Sequence, residues 1–473
     1  MFDARVFRKY DIRGKAFSAI TPLFAYVLGT ALAKGFSFCG EKAVIGRDCR
    51  LSAKSLYDAL AAGLLAGGAV PVLLGECPTP CMHFAAETMG IPRGIMVTAS
   101  HNPAEYIGFK IRGNEGPLCG QDLRLLTAMM EDECVRLRKE EDERFGRLLR
   151  GEDIPSCQNS CTTVPDIRSL YLADAEKRLR AAHPGLGKSA GLSVCVDGGN
   201  GVAGSLCAEL MARLGAKVTT VNTEPDGHFP AHNPDPTVAE NARELCALVA
   251  GGGFAAGFGL DGDGDRMAAV DAAGRLVPAD IAMQLMADDL AARHPECRGR
   301  AVVIDVKCSG DLVDHLDKLG FAPVFCETGH GFMRACMRRN NAVFGGEFAG
   351  HFFMTENWYG FDDGTFAAAS AYCAMVSGGR RLESYMDAKR SVATPELRFP
   401  CTDEEKPLLM QKICEKYRDF PSQTVDGIRV DTDDGWFLVR PSNTGDYLSM
   451  RFEAASEEAV ERLRAEVGSA LAH

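Results

Sequence analysis

The 473-residue chain has no long apolar run and no excess of positive charge. No window approaches the roughly 18 uninterrupted apolar residues of a membrane helix, and Met1 to Gly14 carries charges where a signal peptide would be apolar. The net charge of -12 argues against nucleic acid, whose phosphates bind clustered Lys and Arg. We therefore expect a cytoplasmic protein with neither a membrane nor a nucleic-acid partner.

The 18 cysteines lack the arrangement of a disulfide scaffold or a zinc site. Cys77 and Cys81 form one close pair and Cys157 and Cys161 another, but neither is followed by a second matching pair or a nearby His, as zinc sites usually require. The cysteines are dispersed through a long chain without a secretion signal. We expect most of them to be buried thiols.

The composition is that of a soluble globular protein, with 46% apolar and 25% charged residues. Three segments, starting at Ala43, Leu192 and Ala301, repeat one plan: a β-branched run, a turn, an amphipathic helix and a second apolar strand. This is the pattern of a βαβ unit, in which ligands lie beyond the carboxyl ends of the strands. It predicts three related α/β domains.

The pattern changes after about residue 393. Short strands around 397–400, 427–431 and 436–440 are combined with helices over 406–417 and 456–471, and the last helix has Ser456 as its N-cap. These elements predict a smaller α+β domain. The chain is therefore assigned to the α/β class with mixed sheets, in four domains: 1–155, 156–275, 276–388 and 389–473.

The stretch from Gly259 to Arg266 carries the strongest functional signal. Asp261, Asp263 and Asp265 alternate with glycines, which permit the tight backbone needed to bring three carboxylates together. Such hard oxygen ligands suit Mg²⁺ or Ca²⁺. An EF-hand is excluded because its Gly and Glu positions are occupied by Arg266 and Ala272. The remaining alternative is an acidic turn between two apolar strands.

A second candidate loop, Val97 to Pro103, follows an apolar strand. It is either a turn marked by Asn-Pro or a loop that displays Ser100 beside His101 as a nucleophile. No GxSxG motif surrounds the serine, so a hydrolase triad is not indicated. A phosphoserine would instead supply acceptor oxygens to a magnesium ion held by the three aspartates. Phosphoryl transfer also needs nearby cations, for which the candidates are Arg13, Lys110, Arg266 and Lys307.

Two further glycine-containing stretches look like ligand loops. Gly345 to His351 places Glu347 and His351 where they could bind hydroxyl groups. Arg440 to Gly445 combines a guanidinium with hydroxyls, an amide and backbone N–H groups, which suits a phosphate monoester. Each stretch alone is also compatible with a plain turn.

Taken together, these motifs make the chain resemble the α-D-phosphohexomutases, and within that family most closely the bacterial bifunctional phosphomannomutase/phosphoglucomutases. The resemblance spans nearly the whole chain, with the motifs in the family's order: Tyr10–Gly14, Gly46–Asp48, Thr98–Pro103, Gly108–Lys110, Asp197–Gly201, Asp226–Pro230, Asp261–Arg266, Thr328–His330, the Glu347 loop and Arg440–Thr444.

The resemblance implies four domains around a central cleft and a role for each matching residue. Ser100 would be the phosphoserine and, with Asp261, Asp263 and Asp265, would bind one Mg²⁺ per chain. The other catalytic residues implied are Arg13, His101, Lys110, Arg266 and His351, with Lys110 and His351 as proton-transfer groups. The substrate-binding residues implied are Tyr10, Lys307, His330, Glu347, Arg440, Ser442, Asn443 and Thr444.

The implied reaction interconverts hexose 1-phosphates and 6-phosphates of mannose or glucose through a hexose 1,6-bisphosphate. The expected partners are small sugar phosphates, and the expected state is a monomer or homodimer. The chain departs from the family pattern at Ala349, at Ile107 and at Gly445-Asp446, and the change at Ala349 leaves the sugar preference open. The alternatives are a phosphoglucosamine mutase and a non-catalytic sugar-phosphate-binding protein.

Overall fold

The computed structural model describes residues 2–9, 11–114, 116–152, 161–164, 166–187, 191–442 and 446–472. The chain divides into two compact units. The first contains Met1–Val277 and Ala349–Arg381, and the second contains Pro278–Phe348 and Leu382–His473. Among the helices in the described ranges, none is long and apolar enough to cross a membrane.

The first α/β repeat forms a mixed sheet in the order β1-β5-β4-β2-β3-β7, with β6 paired to β5. Its strands are β1 Ile12–Lys15, β2 Lys42–Arg47, β3 Val70–Glu76, β4 Gly94–Val97, β5 Tyr106–Gly113, β6 Gly116–Pro117 and β7 Thr162–Thr163. Its helices are α1 Pro22–Gly35, α2 Ala53–Ala66, α3 Thr79–Thr88, α4 Gln121–Glu140 and α5 Asp142–Arg150. A short 3₁₀ helix, Ala4–Val6, precedes β1.

Helices α1 and α2 approach each other closely because of two glycines. A Cβ at Gly29 would lie 2.4 Å from the Leu60 carbonyl oxygen, and one at Gly63 would lie 2.0 Å from that of Tyr26. Any side chain there would therefore push the backbones apart. The apolar faces of both helices pack with the sheet into one buried core.

The second α/β repeat forms a sheet in the order β12-β11-β10-β8-β9. Its strands are β8 Ser193–Asp197, β9 Lys217–Val221, β10 Ala256–Leu260, β11 Met267–Asp271 and β12 Leu276–Val277. Its helices are α6 Ile167–Ala182, α7 Gly204–Arg213 and α8 Arg243–Gly252. Strand β8 is parallel to β9 and β10, whereas β11 is antiparallel to β10.

The third repeat lies in the second unit, where β13 pairs in parallel with both β14 and β15. These strands are β13 Ala301–Asp305, β14 Ala322–Cys326 and β15 Phe344–Gly346. The helices are α9 Ala279–Arg293, α10 Gly310–Leu319 and α11 His330–Arg339, with a 3₁₀ helix at Pro295–Cys297. The chain then returns to the first unit as β16 Phe352–Met354 and α12 Gly364–Gly378.

The C-terminal part of the second unit is an α+β structure, as predicted. After α13 Leu382–Ala388, six antiparallel strands form one sheet: β17 Val392–Ala393, β18 Leu397–Pro400, β19 Ser422–Gln423, β20 Ile428–Thr432, β21 Gly435–Pro441 and β22 Tyr447–Ala454. Helices α14 Lys406–Lys416 and α15 Glu457–Ala472 complete it. The predicted cap is present, since Ser456 Oγ accepts a hydrogen bond from Ala459 N at 3.3 Å.

The three α/β repeats share one strand order. In each, the first strand lies between the second and the third, giving β3-β2-β4, β9-β8-β10 and β14-β13-β15. The loop that follows the third strand carries Ser100 in the first repeat, the three aspartates in the second and Glu347 in the third. The sequence motifs with the strongest functional signal thus occupy one equivalent position in three copies of the fold.

Candidate active site

Ser100 lies in the connection between β4 and β5 and has a left-handed backbone, with φ of 52°. This conformation is uncommon for a residue with a Cβ and must be held by its surroundings. Thr98 Oγ1 accepts a hydrogen bond from Ser100 N at 2.8 Å, and this bond stabilises the turn at Ser100. The side chain of Ser100 is almost completely buried.

The aspartate loop joins β10 to β11 and folds tightly on Asp261. Asp261 Oδ1 accepts hydrogen bonds from Gly264 N at 3.0 Å and from Arg266 N at 3.1 Å. Gly264 has φ of 77°, which favours glycine. The three carboxylates are fully buried, and one oxygen from each lies within 4.8 Å of the others.

The two loops meet directly. Ser100 Oγ donates a hydrogen bond to Asp261 Oδ2 at 2.7 Å. The contact requires glycine on the aspartate loop, because a Cβ at Gly262 would lie 2.6 Å from the Ser100 carbonyl oxygen. Residues separated by 161 positions are therefore brought together, as a shared cation would demand.

Lys110, on β5, lies against the aspartate loop. Its Nζ donates to Asp263 Oδ2 at 2.6 Å and makes a very short contact with Asp265 Oδ2. Burial lowers the pKa of Lys110, but the charges of Asp263 and Asp265 outweigh it and raise the pKa well above its ordinary value. Lys110 is therefore an ammonium at neutral pH.

The carboxylates fit a hard divalent cation. Burial, together with Asp265 and Asp263, raises the pKa of Asp261 well above its ordinary value. Within the described ranges, Asp263 Oδ1 and Asp265 Oδ1 are buried oxygens without a hydrogen-bond donor. A buried carboxylate oxygen needs such a donor or a metal ion. Three oxygen ligands of this kind suit Mg²⁺.

Three further predicted residues, His101, Arg13 and Arg266, contact the Ser100 loop or the aspartate loop in the first unit. His101 Nδ1 lies 3.1 Å from Ser100 Oγ, and burial, reinforced by Arg266 and Arg13, lowers the pKa of His101 well below its ordinary value. Arg13 donates to Asn102 Oδ1 at 2.6 Å and to Asp11 Oδ2 at 2.5 Å. The site therefore combines a neutral imidazole with fixed positive charge.

His351 precedes β16 and lies beside the aspartate loop. Arg266 Nε donates to His351 Nε2 at 3.2 Å, and the same nitrogen lies 3.4 Å from Asp265 Oδ1. Nε2 therefore lies between a donor, Arg266 Nε, and an acceptor, Asp265 Oδ1. An imidazole is the side chain best suited to exchange a proton near neutral pH.

Apart from Tyr10, the other predicted residues lie in the second unit. Lys307 N donates to Asp305 Oδ1 at 3.2 Å, and the buried His330 begins α11. Glu347 is buried, and its Oε1 accepts from Gly329 N at 2.5 Å. Arg440 Nη1 donates to Asp426 Oδ2 at 3.0 Å and to Thr328 Oγ1 at 3.3 Å, while Ser442 O accepts from Lys406 Nζ at 2.8 Å. Tyr10, Asn443 and Thr444 lie outside the described residues.

Three residues of this site were not predicted from the sequence. Thr79 Oγ1 donates to Asp263 Oδ2 at 2.5 Å from the start of α3. Asp362 is buried and offers an oxygen within 4.8 Å of ligand atoms of Asp265 and His351. Arg50 donates to the Ser100 carbonyl oxygen at 2.7 Å. None stands in a motif that indicates chemistry by itself, although the Asp-Asp-Gly run at 362–364 was an available signal.

Two of the departures noted in the sequence can be located. Ile107 is completely buried on β5 in the core of the first repeat, so its side chain is part of the packing. Asp446 is exposed to solvent, where its negative charge is hydrated. Gly445 lies outside the described ranges.

Comparisons with family models cover most of the chain. Residues 4–133, 171–274 and 278–391 match the phosphoglucomutase/phosphomannomutase alpha/beta/alpha domains I, II and III. Residues 396–469 match the C-terminal domain of the same family. The four matches follow one another in the order of the predicted domains.

Individual relatives are similar along almost their whole length. The chain is 35% identical to a phosphomannomutase/phosphoglucomutase of Pseudomonas aeruginosa, covering 98% of this chain and 94% of the relative. It is 31% identical to a phosphoglucomutase of Neisseria gonorrhoeae, covering 97% and 95%. A crystal structure of a phosphoglucomutase/phosphomannomutase family protein from Burkholderia thailandensis superposes with a TM-score of 0.83 at 30% identity, covering 100% of this chain and 98% of that one.

Proposed function

This chain belongs to the phosphoglucomutase/phosphomannomutase family and is a phosphohexomutase, and we propose that Ser100 is the residue through which it transfers the phosphoryl group. The observation that supports this assignment is the 2.7 Å contact between Ser100 Oγ and Asp261 Oδ2. It sets a nucleophilic oxygen directly against a cluster of carboxylates suited to Mg²⁺.

The reaction consists of two phosphoryl transfers. In the first, the bond between phosphoserine Oγ and phosphorus breaks, and a hydroxyl oxygen of the hexose phosphate bonds to phosphorus and loses its proton. The product is a hexose 1,6-bisphosphate. In the second, Ser100 Oγ takes the other phosphoryl group, and the proton returns to the oxygen that is released. The enzyme ends in its starting state.

Residues of the first unit support this chemistry. Asp261, Asp263 and Asp265 would hold Mg²⁺, which would supply positive charge to the transferring phosphoryl oxygens. His351 is a proposed proton-transfer group, because its Nε2 lies beside the aspartate loop, 3.4 Å from Asp265 Oδ1. Lys110 is proposed to stabilise charge as an ammonium, because its pKa is held high by Asp263 and Asp265. Arg13 and Arg266 add fixed positive charge.

Residues of the second unit are proposed to bind the substrate. Glu347, held by the Gly329 amide, would accept hydrogen bonds from sugar hydroxyls. Arg440, Ser442, Asn443 and Thr444 would bind the phosphate that is not transferred, and Lys307 and His330 would make further contacts with the substrate. The guanidinium of Arg440 suits a phosphate because it can donate two parallel hydrogen bonds. Tyr10, in the first unit, is also proposed to bind substrate.

We propose mannose and glucose phosphates as substrates and a hexose 1,6-bisphosphate as activator. The test is a coupled assay with the 1-phosphates of mannose, glucose and glucosamine, with Mg²⁺ and a trace of glucose 1,6-bisphosphate. Turnover of the first two supports the proposal. Turnover of glucosamine 1-phosphate alone would identify a phosphoglucosamine mutase instead, an outcome that Ala349 in the sugar loop makes worth testing. Turnover of none would contradict the assignment.

A further inference from the structure

Arg50 is a buried arginine whose guanidinium donates hydrogen bonds to the backbone around Ser100 and to one carboxylate. It lies between β2 and α2 and is only 1% exposed. Nη2 donates to the carbonyl oxygens of Ser100 at 2.7 Å and Asn102 at 2.6 Å. Nη1 donates to those of Pro103 at 2.6 Å and Tyr106 at 3.1 Å. Three carbonyl groups of the loop that carries Ser100, and that of the first residue of β5, thus converge on one side chain.

The positive charge of Arg50 is balanced by the carboxylate of Asp48, two residues earlier. Asp48 Oδ2 accepts from Arg50 Nε at 3.1 Å, and Asp48 Oδ1 accepts from Arg50 N at 3.0 Å. The bond from Nε and the four bonds to carbonyl groups together engage all five N–H groups of the guanidinium. A buried arginine with every donor satisfied fixes the relative positions of its acceptors.

The backbone of the Ser100 loop needs such stabilising hydrogen bonds because Ser100 has a left-handed conformation, with φ of 52°. This conformation costs free energy in a residue with a Cβ and persists only where the surroundings impose it. The bond from Arg50 acts on the carbonyl of Ser100 itself. It therefore holds the peptide whose orientation directs Oγ towards Asp261.

A segment of the second repeat covers Arg50 from the other side. The ring of Phe229 lies 4.9 Å from the guanidinium carbon, and Phe229 is itself buried. Gly227 passes so close that a Cβ there would lie 2.5 Å from the Cys49 carbonyl oxygen and 2.8 Å from Leu51 N. The segment Asp226–Pro230, which takes no part in the reaction described above, thus excludes water from the arginine.

We propose that Arg50 is a positioning residue for phosphoryl transfer, and that Phe229 holds it in place. The four carbonyl contacts set the backbone of Ser100 so that its oxygen faces the aspartate loop. This inference rests on the proposed role of Ser100. It gives the Gly46–Asp48 motif and the Asp226–Pro230 motif one shared purpose.

The test compares Arg50→Lys with the wild type. Lysine keeps the charge but presents three donors at one point, so it cannot span four carbonyl groups. We expect kcat for glucose 1-phosphate to fall at least about tenfold, as a displaced reacting atom would cause. The rate of phosphoryl transfer from glucose 1,6-bisphosphate to the dephosphorylated enzyme should fall by the same factor. KM should stay within about twofold, because the proposed substrate-binding residues are unchanged.

The matched control is Tyr57→Phe, in the same repeat. Tyr57 is buried, and its hydroxyl accepts from Gly75 N at 3.2 Å, away from the serine loop. This variant should lose thermal stability and keep kcat and KM. Phe229→Leu provides a second variant that keeps Arg50, and we expect its kcat to fall about threefold at constant KM, since a weakened cation–π contact loosens the guanidinium.

The outcomes separate this inference from the proposed function. Arg50→Lys with normal kcat per folded molecule and only a lower Tm would give Arg50 a purely structural role and overturn the inference. A rise in KM at constant kcat would overturn it as well. If Arg50→Lys does not fold, a normal kcat for Phe229→Leu decides against it. A wild-type enzyme that bisphosphate cannot phosphorylate at Ser100 would instead overturn the proposed function, and the inference with it.

Discussion

Ser100 Oγ and Asp261 Oδ2 are joined by a 2.7 Å hydrogen bond, although 161 positions separate the two residues. The contact joins equivalent loops of the first two α/β repeats. The same fold position thus supplies a nucleophile in one copy and metal ligands in the next. The proposed role of Ser100 depends on this contact between the two loops.

Replacing Ser100 by alanine should abolish the covalent step. We expect kcat to fall at least about a hundredfold, the scale on which loss of a covalent catalytic group is felt. The measurement is a coupled assay with glucose 1-phosphate and trace bisphosphate, with Tm as the control for folding. An S100A variant with near-normal turnover would remove the serine from the mechanism.

Removal of Mg²⁺ should stop turnover, and Asp263→Asn should weaken the response to added metal. Asp263 contributes a buried carboxylate oxygen that has no hydrogen-bond donor. The neutral amide of asparagine would be a poorer metal ligand than this carboxylate. We expect the Mg²⁺ concentration for half-maximal activity to rise at least about tenfold, because a charged ligand is lost. Full activity in excess chelator would contradict the metal assignment.

Lys110→Met should destabilise the protein in a way that Mg²⁺ corrects. The substitution leaves the buried Asp263 and Asp265 without their ammonium partner, and breaking a buried ion pair costs about 3–5 kcal/mol. Bound Mg²⁺ should restore part of the lost stability by pairing with the two carboxylates. The Tm should therefore rise more on Mg²⁺ addition in the variant than in the wild type.

Lys54→Met serves as the control for Lys110→Met. Lys54 forms an exposed pair with Asp58 on α2, and such surface pairs contribute little. Its Tm and its response to Mg²⁺ should match the wild type. An equal Mg²⁺ response in all three proteins would show that Lys110 does not share its carboxylates with the metal site.

Arg440→Lys should weaken substrate binding more than catalysis. Lysine keeps the charge but loses the planar pair of donors that suits a phosphate. We expect KM for glucose 1-phosphate and for mannose 1-phosphate to rise about tenfold, with a smaller change in kcat. Steady-state kinetics on both substrates provide the measurement. An unchanged KM on both would place the phosphate site elsewhere.

His232→Gln should lower stability in a pH-dependent manner. The hydrogen bond from His232 Nε2 to Asp197 Oδ2, 3.1 Å long, raises the pKa of His232 above its ordinary value. The folded state then binds the proton more tightly than the unfolded state, so this contribution is complete below about pH 6.5 and is lost as the pH rises through the folded-state pKa. The Tm deficit of the variant should therefore be larger at about pH 6 than at about pH 9, and equal deficits would exclude the protonated pair.

The elements that follow from local pattern could be predicted from the sequence. The strand at Ala301–Asp305, the helix ending at Leu319 and the cap at Ser456 all lie within a residue or two of their predicted positions. Hydrophobic periodicity and capping chemistry act over a few residues, so they are visible without a fold. The aspartate loop was recognisable because its ligands are close in sequence.

Arg50, Thr79 and Asp362 could not be predicted in the same way. Each lies against residues far along the chain: Arg50 against the Ser100 loop, Thr79 against Asp263 and Asp362 against Asp265. A buried arginine or threonine has the same local signature whether it supports a catalytic loop or only the core. Their roles become visible once the fold brings the loops together.

The most direct test of the central claim is to locate the phosphoryl group on the enzyme. The dephosphorylated protein would be incubated with glucose 1,6-bisphosphate and Mg²⁺, digested, and its peptides sequenced by mass spectrometry. The account predicts one phosphoryl group per chain, on Ser100. A phosphoryl group on any other residue, or none while the enzyme turns over glucose 1-phosphate, would contradict it.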